Sequence, residues 1–240
     1  MKSKLLIIGV IGLATLLVAG CTPGSVEGTD SIPTDNYANT QLEYYYYIPS
    51  TVIGNKQEAH PVLVMVPGLS GRGERFVTRE FKKFADEEQF IIVAPSFVFD
   101  EDNWDSQQSY QYPSVWSGDA LLEIISHLEE KHGITTSQMY LFGFSAGAQF
   151  ALRFCLWKPE LCIACAAHGS GGTVRPVRRV ETRFFITVGD RDVSRIGKAK
   201  EFCGAARALG IDVTYREYDA GHSLTSDQIK DSLDFFRNVE

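Results

Sequence analysis

Short apolar runs alternate with amphipathic stretches from residue 42 to the C-terminus, and this alternation constrains the fold more than any other property of the chain. Runs at residues 42–48, 62–66, 90–94, 139–144, 162–167, 184–188 and 213–218 read as strands. Segments at 75–87, 117–131, 146–157, 195–209 and 226–239 read as helices. A strand covered on both faces is apolar throughout, whereas a covering helix needs one apolar stripe. In 117–131, Leu121, Leu122, Ile124, Ile125 and Leu128 form that stripe, and Glu123, Glu129, Glu130 and Lys131 fall mainly off it. Gly133 follows where a left-handed residue stops a helix. The predicted class is α/β: one domain over residues 42–240, a mostly parallel sheet flanked by helices. Tyr44, Tyr45, Tyr46 and Tyr47 lie on the first predicted strand, so they should alternate between its faces and pack there; a carbohydrate-stacking platform is the alternative.

Residues 1–41 are expected to stand outside that domain. Lys2 and Lys4 precede a charge-free apolar run, Leu5 to Ala19, which closes in Leu17-Val18-Ala19-Gly20-Cys21. Small residues before a cysteine resemble the cleavage motif of bacterial lipoproteins. The resemblance implies a signal peptide over 1–20, lipidation of Cys21, and export to the bacterial cell envelope on a lipid anchor in the membrane. A plain signal peptide or a short membrane anchor is the other reading. Residues 21–41, rich in Pro, Gly, Ser, Thr and Asp, are predicted to form a flexible tether. Losing residues 1–20 removes Lys2 and Lys4 and no acid, moving the net charge from −7 to −9. An acidic protein is a poor partner for nucleic acid. Cys155, Cys162, Cys165 and Cys203 read as structural thiols or two disulfides; the spacing lacks the paired C-x-x-C units of a zinc site. No metal is expected.

The chemistry is concentrated at Gly143-Phe144-Ser145-Ala146-Gly147, between a predicted strand and a predicted helix. In that setting G-x-S-x-G is a nucleophile elbow, with glycines where side chains would strike neighbouring backbone. The turn lifts the Ser145 hydroxyl above the sheet and aims the Ala146 N–H at a developing oxyanion. A serine needs a base. Of His60, His127, His132, His168 and His222, only His222 lies in a loop after the last strand, at the sheet edge that carries Ser145. His60 precedes a strand at the wrong end, and His127 and His132 read as solvated. Asp190 and Asp192 both follow the strand 184–188; Asp192 is favoured as the acid that orients His222, with Asp190 bracing its loop or pairing with Arg191. The loop Pro67-Gly68-Leu69 supplies the second candidate oxyanion donor, the Leu69 N–H.

Elbow, acid loop, histidine loop and Pro-Gly loop together resemble the α/β-hydrolase superfamily over residues 42–240. Lys158-Pro159-Glu160-Leu161, leading to Ala166-Ala167-His168-Gly169-Ser170-Gly171-Gly172, resembles more narrowly the polyhydroxybutyrate depolymerase and feruloyl esterase group of secreted esterases. That group often carries His-Gly in the oxyanion loop, where this chain has Val66-Pro67-Gly68. The resemblance implies cofactor-free hydrolysis of a small-molecule or polymer ester by a monomer. A serine peptidase of the same fold and a lipid-anchored binding protein with a decayed site are the rival readings.

About fifteen residues separate the strands near Ala167 and Phe184, too few for a helical cap, so the site should be open. The insertion 96–115 holds Phe97, Phe99, Trp104, Tyr110 and Tyr112, with Trp116 just beyond it. Trp104 and Trp116 are candidates for an aryl- or polymer-binding wall, with a self-packed surface loop as the alternative; His168 either lines the pocket or is a hydrogen-bonded structural residue. Arg175, Arg178, Arg179 and Arg183 read as a solvated face, with a substrate carboxylate as the sharper option.

Overall fold

The computed structural model describes residues 24–36, 38–69, 71–99 and 108–239. Cys21, Trp104 and the expected signal peptide lie outside them. The predicted strands appear as β2 (Gln41–Ile48), β3 (Ala59–Val66), β4 (Ile91–Pro95), β5 (Thr135–Phe144), β6 (Cys162–His168), β7 (Arg183–Gly189) and β8 (Val213–Tyr218). An eighth strand, β1 (Val26–Pro33), precedes them. The sheet order is β1-β2-β4-β3-β5-β6-β7-β8, with β1 and β2 antiparallel and every pair from β4/β3 onward parallel.

β1 corrects the expectation of a tether over 21–41. Its residues pair with β2 from Val26–Ile48 to Pro33–Gln41. The polar sequence VEGTDSIP suits an edge strand with one face in water, and its burial alternates accordingly. The Glu27 carboxylate accepts from Tyr45 Oη and pairs with Lys82, while Asp30 Oδ2 takes Lys131 at 2.6 Å.

The four tyrosines of β2 do alternate, and all four are buried. Tyr44 and Tyr46 join the larger apolar layer, built with α4 (Ser117–His132), α5 (Ala146–Trp157) and α6 (Val193–Ala208). Tyr45 and Tyr47 join the opposite layer, under α3 (Arg79–Glu88) and α7 (Ser226–Arg237). Tyr47 Oη donates to Asp86 at 2.7 Å, so its polar end is satisfied as its ring is covered. The buried rings leave no stacking platform for carbohydrate on β2. His127 and His132, expected in water, lie against this strand: the His132 ring centroid is 5.0 Å from that of Tyr46, and His127 Nδ1 is 3.5 Å from Tyr44 Oη.

The helix predicted at 75–87 is split. A single turn, α2 (Gly73–Phe76), ends where Val77 and Thr78 turn extended, and α3 starts at Arg79. Val77 is buried in the second layer, which fixes the break. Between β2 and β3 lies a short α1 (Ser50–Gly54). α4 ends at Gly133 in a left-handed conformation, φ 60°, as its sequence predicts. Cys155, Cys162, Cys165 and Cys203 are free thiols, all buried, and burial pushes the Cys155 thiol well above its ordinary pKa. Among the described residues no helix is long and apolar enough to cross a membrane.

Candidate active site

β5 runs straight into α5, and Ser145 sits at the joint with φ 56° and ψ −112°, a conformation L-residues adopt only under constraint. The constraint is crowding. A Cβ on Gly147 would lie 2.0 Å from Val66 O, and one on Gly143 would lie 2.4 Å from Gly147 O. Only glycine at both positions lets the end of β3 cross the start of α5. The turn is pinned from the neighbouring strand, where His168 O accepts the Ser145 N–H at 2.8 Å.

The loops after β7 and β8 are laced together beside this turn. The Asp190 N–H donates to Tyr218 O at 2.8 Å and the Arg191 N–H to Ala220 O at 3.0 Å. Asp190 Oδ1 accepts the Ala220 N–H at 3.2 Å and lies 3.5 Å from Arg191 Nη1. Held in this way, His222 places Nε2 2.9 Å from Ser145 Oγ and Nδ1 2.7 Å from Asp192 Oδ2. An ionised carboxylate only accepts, so Nδ1 carries the proton and Nε2 is free to accept from the serine hydroxyl. Phe144 stacks on the imidazole with centroids 4.8 Å apart and rings 23° from parallel, which fixes its plane. Asp192 is 5% exposed, and its second oxygen, Oδ1, accepts from Arg195 Nη1 at 3.0 Å. Arg195 stands one turn into α6, three residues beyond the acid, a spacing that brings two side chains onto one helix face. That spacing is the signal by which the sequence could have disclosed it.

The Pro67-Gly68-Leu69 loop lies against the same turn: a Cβ on Gly68 would be 3.4 Å from Ser145 Cβ. Among the described residues neither the Leu69 nor the Ala146 N–H donates to a protein acceptor.

Three further expectations are corrected or redirected. His168 does not line a pocket. It is fully buried, with Nδ1 2.6 Å from Thr187 Oγ1 and Nε2 3.2 Å from Ser232 Oγ on α7. Residues 164, 166 and 168 of β6 share one face, and Ala164 and Ala166 belong to the α3/α7 layer. Trp116 opens α4 and lines a separate cavity of about 580 Å³ with Pro33, Thr34 and Glu123; no member of the Ser145–His222–Asp192 chain lines it. Its indole N–H donates to Gln108 O at 2.8 Å. Phe97 and Tyr110 are buried and stacked on each other, which leaves Phe99 and Tyr112 as the described aromatic residues of the insertion that line a pocket beside α5. Of the basic cluster, Arg175, Arg178 and Arg179 are exposed, Arg179 lies 3.3 Å from Glu181, and Arg183 lies 3.5 Å from Asp212. The connection 169–182 between β6 and β7 holds neither helix nor strand.

Burial pulls the His168 pKa down from 6.5 to about 3. The unfolded chain therefore takes up a proton near pH 6.5 that the folded chain refuses until about pH 3. Stability should be unaffected by this group above pH 6.5. It should fall by up to about 1.4 kcal/mol per pH unit as the pH drops through that window. Urea unfolding of His168→Gln at pH 8 and pH 5 is expected to show a smaller loss on acidification than the native chain.

A Ser–His–Asp chain on the strand-to-helix elbow of a sheet with this order belongs to the α/β-hydrolase fold, and the protein has that fold. Comparison with known proteins agrees. A ferulic acid esterase structure superposes with a TM-score of 0.70 over 90% of this chain and 99% of its own, at 17% identity. The LpqC poly(3-hydroxybutyrate) depolymerase of Bordetella parapertussis gives 0.63 over 90% and 91%, at 18% identity. At such identities the likeness is one of fold. In sequence, the chain is 26% identical over 167 residues to feruloyl esterase B of Thermothelomyces thermophilus. That match takes in 68% of this chain and spans about half of the relative, 55% of its length. No family model matches the chain.

Proposed function

We propose that the protein is a serine hydrolase that cleaves carboxylic esters through an acyl-enzyme. The observation that carries this reading is the continuous hydrogen-bonded chain Ser145 Oγ–His222 Nε2 and His222 Nδ1–Asp192 Oδ2 at a strained elbow. His222 takes the Ser145 proton as Oγ attacks the ester carbonyl. The Leu69 and Ala146 amides receive the oxyanion, each such donor contributing roughly 10²–10³ in turnover. His222 then returns the proton to the departing alcohol. Water enters and attacks the acyl carbon while giving one proton to His222, which passes it to Ser145 Oγ as the acid leaves. The names of the similar proteins, feruloyl esterase, ferulic acid esterase and poly(3-hydroxybutyrate) depolymerase, are a reason to test aryl esters and polyesters first. The sequence before Val26 further supports export and anchoring through a lipidated Cys21.

A fluorophosphonate probe tests the chemistry apart from the natural substrate. The native chain is expected to label at Ser145 and to hydrolyse p-nitrophenyl acetate and butyrate. A folded sample that neither labels nor turns over any ester would favour the decayed binding protein. Labelling with peptide but no ester turnover would favour the peptidase.

A further inference from the structure

Arg153 lies on the same stripe of α5 as the nucleophile. Ser145, Gln149 and Arg153 are spaced by four, so they stack on one helix face over about 12 Å. Beside Gln149 and Arg153 opens a pocket of about 440 Å³, lined also by Phe99, Tyr112, Gly171 and Gly172. A Cβ on Gly172 would lie 2.1 Å from Gln149 Oε1 and 3.5 Å from Arg153 Nη2, so glycine there keeps this space open.

The arginine is held but not neutralised. Its guanidinium lies over the Tyr112 ring, 4.1 Å from the centroid, and Nη1 donates to Gln111 O at 2.9 Å and more weakly to Gln149 Oε1 at 3.4 Å. Among the described residues no carboxylate pairs with it, no acceptor takes Nε or Nη2, and no acid lines the pocket. Burial lowers its pKa from the ordinary arginine value. Two more cations bear on the same loop: Lys198 Nζ donates to Gly171 O, and Arg195 Nε, buried without a partner, lies 3.9 Å from where a Gly171 Cβ would be. Five other arginines, Arg179, Arg183, Arg191, Arg216 and Arg237, have an acid within reach, while Arg175 and Arg178 are exposed to solvent. In a chain of net charge −7, a half-buried arginine with no counter-ion among the described residues is suited to take one from outside.

We infer that Arg153, clamped by Tyr112 and Gln111, binds a carboxylate carried by the substrate, so that the preferred ester is an anion with its carboxylate one to two helical turns from the scissile carbonyl. This rests on the hydrolase reading and specifies its substrate class. The open Nε–Nη2 edge is the one that grips a carboxylate with two parallel hydrogen bonds. The carboxylate could belong to the acyl or to the alcohol part, and the test separates them.

In the acyl arm, p-nitrophenyl monoesters of glutarate, adipate and suberate are compared with the same esters capped as methyl esters. In the alcohol arm, 4-carboxyphenyl butyrate is compared with its methyl-capped form. The readout is the kcat/KM ratio of charged to capped ester. In one arm the native chain should favour the charged ester, and the preference should decline with added salt. Arg153→Met should lower that ratio by about 10- to 100-fold whatever its effect on absolute rates. Arg153→Lys, which keeps the charge without the fork, should fall between. A native chain that turns over capped esters yet shows no preference for charge in either arm overturns the site, as does a ratio unchanged in Arg153→Met. Failure of the native chain on every ester overturns the hydrolase reading first, and the site with it.

Discussion

Replacement of Ser145 by alanine is expected to lower kcat/KM for p-nitrophenyl butyrate by roughly 10⁴-fold or more, with the fold intact. The hydroxyl makes one protein contact of consequence, to His222 Nε2. Its loss removes the nucleophile and leaves the imidazole with nothing to deprotonate but water. The strain at position 145 belongs to the backbone, because the Gly143 and Gly147 approaches and the bond to His168 O impose it. Alanine must adopt the same φ, so no large gain or loss of stability should accompany the lost activity. Because Ser145 and His222 act in one step, the double variant with His222→Ala should be no slower than either single variant by more than a small factor. The residual rate would be that of binding and the two free amides. A Ser145→Ala enzyme that kept a tenth of the native rate would end the assignment.

The site was legible where chemistry forces a residue type at a fixed structural position. Gly143 and Gly147 announce an elbow because no side chain fits there. His222 and Asp192 announce themselves by following the last two parallel strands, which deliver their loops to one edge. Residues whose placement depends on packing direction were not legible. β1 has no apolar alternation to betray it, since its outer face is in water and its other role is to close the sheet edge against β2. The place of His168 at the end of β6 leaves its role open, and the two-residue period decides it by turning the ring toward α7 and away from Ser145. Trp116 carries the right chemistry for an aryl wall, yet the start of α4 points it toward β1 and Gln108. The arginine-rich stretch 175–183 draws attention by density of charge, yet solvent and nearby acids satisfy it there. Arg153 stands eight residues after the nucleophile on the same helix stripe, and that spacing is the sequence signal for it.

Asp192→Asn should be nearly as damaging as loss of the serine, by roughly 10⁴-fold in kcat, for a reason specific to this site. The native carboxylate serves donors on both sides at once: Oδ2 accepts from His222 Nδ1 at 2.7 Å, and Oδ1 accepts from Arg195 Nη1 at 3.0 Å and, at 3.5 Å, from Ser194 Oγ. An amide has one accepting end. Arg195 can only donate, so it will hold the Asn oxygen and turn the NH₂ toward His222. The imidazole must then accept at Nδ1 and carry its proton on Nε2, pointing at Ser145 Oγ. In that tautomer it cannot take the serine proton, although every heavy atom has stayed in place. Arg195 thus decides which way the amide faces, and removing it should relieve the damage: Asp192→Asn combined with Arg195→Met leaves the amide free to turn its oxygen to His222, and should recover part of the lost turnover. Steady-state ester hydrolysis by the two variants checks both halves. A single variant within tenfold of the native rate would remove Asp192 from the orienting role, and a double variant no faster than the single would show that Arg195 does not set the tautomer.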